Sequence, residues 1–149
     1  MNWFKIVETI KAEEGFSAEP YQDSLGVWTI GYGSTWAVGF DGWERVNRHT
    51  RRINERQAEI IMFEALGLAI KTANSFSGGL EQYTDAQQDA LIMMSYQLGN
   101  RIYQFRRMQS ALLDGRMIDA AGEALDSLWA QQTPRRARIV AELLTQEVA

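Results

Sequence analysis

Two carboxyl groups and a hydroxyl, carried by Glu14, Asp23 and Thr29, fall within sixteen residues of one another near the start of the chain. Glu14 lies four residues after Ile10 and so continues the apolar face of a predicted helix, where partial desolvation favours the protonated acid. Asp23 opens a polar turn that ends at Gly26, where solvent and backbone donors favour the carboxylate. Two carboxyls in contrasting states are what general acid–base catalysis requires.

Thr29 belongs to a run, residues 27–32, that alternates with period two and predicts a strand. On that strand Thr29 shares a face with Gly31 and Gly33, and the two glycines leave backbone open to a ligand. A carboxyl pair beside such a cleft is typical of a glycosidase. Taken singly, Glu14 could be a surface acid, Asp23 a turn former and Thr29 a β-branched strand residue.

The surrounding pattern predicts the elements that position these side chains. A helix runs from an Asn2 cap to Gly15, and a small sheet follows over residues 16–35. Residues 36–52 show no convincing period and are predicted to be loop with room for one short strand. A long helix is predicted from Glu55 to Ala73 after an Asn54 cap, and its apolar positions cover more than one stripe, which suits a connector between two lobes. Residues 75–79 are predicted to be loop.

The rest of the chain predicts helices. Thr84 and Gln87 form a capping-box pattern that opens a helix ending at Gly99. Helices over 105–113 and 118–128 follow, and a capping Thr133 before Pro134 starts the last one. The fold class is α+β: one domain over 1–149, with a sheet lobe (15–54), a connecting helix (55–73) and a helical lobe (1–14 and 74–149).

Composition narrows the function classes. The 149 residues contain no Cys and one His, His49, so neither a metal site nor a cofactor is expected. A net charge of −4 argues against nucleic acid as partner. No run approaches the roughly 18 apolar residues of a membrane span. Arginines nevertheless cluster over 45–56, 101–107 and 135–138. They are either solvated helix faces or patches that meet an anionic polymer other than nucleic acid.

The motif around the three candidate residues resembles that of the phage-type lysozymes, the muramidases related to T-even phage lysozyme. The shared frame runs Glu-Gly, then Tyr-x-Asp-x-x-Gly-x-x-Thr-Ile-Gly-x-Gly, here residues 14–15 and 21–33. The stretches 96–99 and 129–137, together with Phe105, resemble the helical-lobe signatures of the same family. The resemblance therefore covers nearly the whole chain and implies a lysozyme-like fold.

The resemblance also implies residue roles. Glu14 is the proton donor, whereas Asp23 and Thr29 position and activate the water, with Asp23 also stabilising the oxocarbenium-like charge. The implied substrate-binding residues are Gly33, Thr35, Tyr96, Gln97 and Arg136, with Arg136 pairing with the glutamate. Three of these residues have another interpretation: Arg136 could be an exposed charge on a helix, Tyr96 a residue of the helix core and Gln97 a surface residue.

The chain departs from the family pattern at two pairs of positions. Ser34 and Ala65 stand where the T-even type has a His and its partner Asp. Leu25 and Leu128 stand where it has a Glu and an Arg facing each other across the cleft mouth. Both members of each pair change together, which avoids an isolated charge. The changes bear on cleft closure and pH behaviour rather than on the reaction.

The leading hypothesis is an inverting muramidase that hydrolyses the linkage between N-acetylmuramic acid and N-acetylglucosamine in peptidoglycan. The N-terminus shows no export signal, so we expect a monomeric phage endolysin, made in the host cytoplasm and released by a holin without inserting into the membrane, that acts on periplasmic peptidoglycan. The alternatives are a lytic transglycosylase and a non-catalytic peptidoglycan-binding or virion protein. Asp23 and Thr29, which would position a water, argue against the transglycosylase, and the intact set of Glu14, Asp23 and Thr29 argues against the non-catalytic protein.

Overall fold

A computed structural model describes residues 1–147 of the chain, and these residues form both helices and strands. The strands are β1 (Ser17–Gln22), β2 (Trp28–Gly31), β3 (Trp36–Gly39) and β4 (Gly42–Arg45). The helices are α1 (Trp3–Glu14), α2 (Glu55–Ser77), α3 (Asp85–Leu98), α4 (Arg106–Leu113), α5 (Met117–Leu125), α6 (Leu128–Gln132) and α7 (Pro134–Thr145). Short 3-10 helices occupy Leu80–Gln82 and Gly99–Gln104. The predicted α+β class is confirmed.

Side-chain caps fix where several helices begin, as the sequence predicts. Asn2 Oδ1 accepts the Lys5 N–H at 3.1 Å at the start of α1. At the start of α2, Asn54 and Gln57 bond reciprocally, at 2.8 and 2.9 Å between side-chain oxygen and backbone nitrogen. Thr84 forms the corresponding capping box for α3. Each cap satisfies backbone N–H groups that the first helical turn leaves without partners.

The first hairpin joins β1 and β2 antiparallel, with Tyr21 opposite Thr29 and Gln22 opposite Trp28. The tight turn between the strands begins at Asp23, whose carbonyl accepts the Gly26 N–H at 2.9 Å. Gly26 has φ +79°, a backbone conformation that L side chains rarely adopt. The predicted turn and strand are therefore present, and they place Asp23 directly after the strand that pairs with Thr29.

The second hairpin corrects the prediction for residues 36–52. Strands β3 and β4 pair antiparallel in regular register from Trp36 opposite Arg45 to Gly39 opposite Gly42. The prediction of loop with one short strand was wrong because three of the outward positions, Trp36, Val38 and Trp43, are apolar. Successive side chains point to opposite faces of the hairpin, but polar and apolar residues do not alternate with them, so the sequence lacks the period-two pattern of a strand.

Two helix boundaries and one cap also differ from the predictions. Helix α2 continues through Ser77, so residues 75–77 are helical rather than loop. The helix predicted over 118–128 is two helices, because α5 ends at Leu125 and Ser127 caps α6 through the Ala130 N–H at 3.1 Å. Pro134 does open α7, but the Thr133 hydroxyl donates backward to the Trp129 carbonyl at 2.9 Å instead of capping it.

The chain divides into two compact units. One contains Val7–Gly67, and the other contains Met1–Ile6 with the described chain from Leu68 onward. In this division the residues from Val7 to Glu14 group with the sheet residues. The predicted lobe boundaries, at 14, 54 and 73, stay predictions.

Each unit has its own interior. In the unit of residues 7–67, Ile30, Ala37, Val46 and Ile61 form a buried cluster, with Trp28 and Ile53 against it. In the other unit, helix α7 packs against α3 and α5. There the buried Asp89 of α3 accepts the Asn2 N–H at 2.9 Å. None of the helices formed by residues 1–147 has the length and apolarity needed to cross a bilayer.

Candidate active site

The carboxylate of Asp23 is held by the turn that it opens. Its Oδ1 accepts the N–H groups of Leu25 and Val27, each at 2.9 Å, and its own N–H donates to the Val27 carbonyl at 2.9 Å. Among residues 1–147 these side-chain bonds all fall on Oδ1. The carboxylate is therefore fixed in direction, and Oδ2 remains available to an incoming molecule.

The hydroxyl of Thr29 is anchored on the same backbone group. Thr29 is buried on β2, and its Oγ1 donates to the Val27 carbonyl at 2.9 Å. Because the hydroxyl proton is committed to that carbonyl, the oxygen offers lone pairs and acts as an acceptor. The Val27 carbonyl thus positions both Asp23 and Thr29, and it was not predicted from the sequence because a backbone group leaves no residue-type signal.

Glu14 is the last residue of α1, and its half-buried carboxyl group lies against Gly33. A Cβ placed on Gly33 would lie 2.5 Å from Glu14 Cδ and 2.9 Å from Cγ, and closer still to Oε2. These separations are far inside van der Waals contact, so only glycine fits beside the carboxyl in this arrangement. The space that the glycine frees is filled by the candidate acid.

A tight turn connects the Thr29 strand to this contact. Ile30 and Ser34 exchange two backbone hydrogen bonds of 2.9 Å, and the three residues between them form the loop. Gly31 and Gly33 both have positive φ, +65° and +76°. Gly31 also has tight surroundings, since a Cβ there would lie 3.1 Å from the Ala58 Cβ. The turn therefore carries the chain directly from β2 to the residue that Glu14 touches.

A cluster of Lys11, Tyr32 and Glu59 lies at this turn, and no motif in the sequence predicted it. Lys11 Nζ lies 2.9 Å from Glu59 Oε1 and 5.5 Å from the centre of the Tyr32 ring. Phe16 packs on the same ring at 5.7 Å between centroids. The hydrogen bond to Glu59 raises the pKa of Lys11, and burial raises the pKa of Tyr32. Lys11 is one helical turn before Glu14, and Tyr32 precedes Gly33, so the cluster ties together the two segments that meet at the candidate acid.

The predicted site residues divide between the two compact units. Glu14, Asp23, Thr29, Gly33 and Thr35 all belong to the unit of residues 7–67. Tyr96 and Gln97 lie near the end of α3, and Arg136 lies in the first turn of α7, all in the other unit and all half-buried. The substrate-binding roles of Gly33, Thr35, Tyr96, Gln97 and Arg136 stay predictions.

The four departures from the family pattern have different surroundings. Ser34 is buried, and its hydroxyl has no hydrogen-bond partner within the described chain. Ala65 is half-buried on α2, whereas Leu25 and Leu128 are exposed. The buried Ser34 hydroxyl thus lies at the position where the T-even type has a histidine, a larger polar side chain.

Metal chemistry has no candidate ligand set in the described residues. No group of three or more His, Asp or Glu side chains between residues 1 and 147 is arranged to hold an ion. The chemistry available at the site is that of two carboxyls, a hydroxyl acceptor and backbone groups.

The fold and this arrangement define a class: an α+β protein with a carboxyl at the end of a helix and a second carboxylate and a threonine on an adjoining hairpin. The chain belongs to the phage lysozyme family, whose sequence model matches residues 11–144. It is similar to two proteins of Dictyostelium discoideum. Probable T4-type lysozyme 2 is 25% identical, covering 91% of this chain and 90% of the relative. Probable T4-type lysozyme 1 is 24% identical, covering 93% and 92%. The resemblance found in the sequence is confirmed at the level of the family.

Proposed function

We propose that this protein is an inverting muramidase that hydrolyses the β-1,4 linkage between N-acetylmuramic acid and N-acetylglucosamine in peptidoglycan. The observation that carries the proposal is the shared anchoring of Asp23 and Thr29 on the Val27 carbonyl. Asp23 offers Oδ2 and Thr29 offers Oγ1 lone pairs, so both accept hydrogen bonds. A water that donates one hydrogen to each has a lone pair free to attack the sugar.

Glu14 supplies the proton in this mechanism. It donates to the glycosidic oxygen as the bond to the anomeric carbon breaks, and the positioned water adds to the opposite face of the ring. The water loses its proton to Asp23, whose negative charge also stabilises the oxocarbenium-like transition state. The Glu14 carboxyl occupies the space that Gly33 leaves free, which places the acid against the turn that follows the Thr29 strand.

The test is Glu14→Gln, which keeps the shape of the side chain but cannot deliver a proton. We expect peptidoglycan cleavage to fall by about 10²- to 10⁴-fold, the usual contribution of general acid catalysis. Glu8→Gln, the same change at an exposed position of α1, is the matched control and should keep its activity. Circular dichroism of both variants checks folding. Retention of more than about a third of the wild-type rate by Glu14→Gln would remove Glu14 from the mechanism.

Mass spectrometry of the products separates the alternatives. Reducing-end muramic acid indicates hydrolysis, whereas an anhydro product indicates a lytic transglycosylase. A wild-type protein that binds peptidoglycan and releases neither product would be a binding or virion protein on a lysozyme fold.

We further propose that the biological role is that of a monomeric phage endolysin. It is made in the host cytoplasm, passes to the periplasm through a holin and lyses the cell. The support for this role is that the chain belongs to the phage lysozyme family. Expression in Gram-negative cells with and without a co-expressed holin tests the role. Lysis only in the presence of the holin supports it, and equal lysis in its absence contradicts it.

A further inference from the structure

The hairpin formed by β3 and β4 has one face that is exposed to solvent in the described part of the chain. Its inner face carries Ala37, which belongs to the buried cluster of the same unit. Cross-strand pairing places the other face in register, with Trp36 opposite Arg45 and Val38 opposite Trp43. This outer face, defined by those four residues, is exposed: Val38 to 64% and each tryptophan to 48%.

An exposed apolar face of this kind is typical of a binding surface. Apolar residues scattered singly over a surface are ordinary, but contiguous exposed patches mark interaction sites. Here three large apolar side chains lie side by side on a two-stranded sheet whose opposite face carries the buried Ala37. Aromatic residues with an arginine among them are the composition typical of binding surfaces.

The charge of the hairpin and of the segment that follows it in the chain favours an acidic partner. Residues 36–52 contain four arginines and two acids, a net charge of +2 in a chain whose net charge is −4. Arg45 lies over the Trp36 ring, with 5.2 Å between its Cζ and the ring centroid. Arg52 is paired with Glu19, and Arg48 and Arg51 are exposed. A negatively charged ligand on the outer face would meet Arg45 beside an aromatic surface.

The outer face is continuous along the chain with the candidate active site. The hairpin begins at Trp36, three residues after the glycine that contacts Glu14. Its base is fixed by the Val46 N–H, which donates to the Thr35 carbonyl at 2.8 Å. A polymer lying along residues 33–35 would therefore reach Trp36 within about 10 Å of extended backbone.

We infer that the outer face of this hairpin docks peptidoglycan strands beyond the bond being cleaved. The inference rests on the proposed function and adds a second contact for the same substrate. Trp36 and Trp43 would stack on the apolar faces of the aminosugars. Arg45 and Arg48 would meet the carboxylates of the attached peptides, where their charges are complementary.

The position of Asp41 favours a polymer over a lipid surface. Asp41 and Phe40 form the two-residue tip between Gly39 and Gly42, and Phe40 is 94% exposed. Insertion into an anionic bilayer would take place tip first and would carry the Asp41 carboxylate toward like charge. A strand that lies across the outer face leaves both tip residues in solvent.

The experiment measures binding of the cleavage-deficient Glu14→Gln protein to purified peptidoglycan sacculi by co-sedimentation. Adding Trp43→Ala should weaken binding by roughly tenfold, as truncation of an aromatic anchor does. Adding Arg45→Gln should weaken it by roughly two- to fivefold at low ionic strength, and the difference from the parent should shrink at high salt, which screens the pairing of opposite charges. Ile118→Ala, which truncates a residue of α5 that is 79% exposed, is the matched control and should bind like the parent.

Each other outcome contradicts the inference. If Trp43→Ala binds sacculi as tightly as the parent, the outer face does not dock this polymer. If the change instead abolishes binding to vesicles of phosphatidylglycerol and phosphatidylcholine, the partner is a lipid surface. If it converts a dimer to a monomer in light scattering, the partner is a second copy of the chain. Thermal unfolding of every variant shows that it is folded.

The outcome is distinguishable from that of the proposed function. Cleavage by the wild-type protein with unchanged binding by Trp43→Ala removes only the docking surface. Loss of binding in Trp43→Ala, without any cleavage by the wild type, contradicts the muramidase activity and supports the docking surface.

Discussion

At the scale of single residues, Thr29 is the most informative position because its hydroxyl is already committed as a donor. Its bond to the Val27 carbonyl leaves lone pairs for a water. Thr29→Ser keeps the hydroxyl and should retain most of the activity. Thr29→Val keeps the β-branched shape but loses the acceptor, and should lower activity by roughly 10- to 100-fold through misplacement of the water.

The two variants test opposite accounts of Thr29. Turbidity clearing of permeabilised Gram-negative cells gives the rank order. If Thr29 serves only as a strand former, Val is the benign change and Ser the damaging one. That order would end the water-positioning role.

Gly33 yields a second prediction at this scale. Gly33→Ala should lower peptidoglycan cleavage by about 10²-fold, because the new methyl group displaces the Glu14 carboxyl. It should also destabilise the protein by roughly 1 kcal/mol, since φ is +76°. Steady-state cleavage rates and urea unfolding measure the two effects.

The control for Gly33 is Gly115→Ala. Gly115 has almost the same φ, +74°, but nothing within 4 Å of the added Cβ. It should show the same order of stability loss with no loss of activity. Equal activity in the two variants would mean that the contact between residue 33 and Glu14 does not matter for cleavage.

At the scale of elements, the Lys11–Glu59 ion pair links α1 to α2 beneath the Gly31–Gly33 turn. Lys11→Met should lower the free energy of unfolding near neutral pH by up to about 1 kcal/mol, because the pair is partly exposed. A double-mutant cycle with Glu59→Gln isolates the pair from the lost contact with Tyr32.

The pH dependence of this pair has a defined sign. The pKa of Lys11 is higher in the folded protein than its usual value of 10.5, chiefly through the hydrogen bond to Glu59. The folded state therefore holds the proton more tightly, and the stabilisation is fully present below pH 10.5. It is lost as pH rises through the higher folded pKa. Urea unfolding between neutral pH and pH 11 measures it, and a coupling energy that grows with pH over that range would contradict the assignment.

At the scale of the whole molecule, the stereochemistry of the reaction reports where the two carboxyls stand relative to the sugar. Inverting pairs are about 6.5–9.5 Å apart, which admits a water, whereas retaining pairs are about 5–5.5 Å apart. We expect proton NMR to show an inverted anomer as the first-formed reducing end. A retained anomer would refute the water-positioning role of both Asp23 and Thr29.

Local chemistry explains which parts of the fold could be predicted from the sequence. The caps at Asn54 and Thr84 and the turn that begins at Asp23 depend on atoms a few residues apart, so their residue types suffice. The second hairpin was missed because Trp36, Val38 and Trp43 put apolar side chains on its solvent face. The polarity of the side chains then does not indicate which face of the hairpin is buried.

The family and the fold class could be predicted from residue types and spacing, which also nominate Glu14, Asp23 and Thr29 as the candidate acid, carboxylate and hydroxyl. The contacts of Glu14 with Gly33, and of Lys11 with Tyr32 and Glu59, follow from the folded structure alone. These contacts join residues 19 to 48 positions apart, and no local pattern encodes which of many possible partners a side chain will meet. Packing of the whole unit selects the partner, because each contact depends on where separate elements place their backbones.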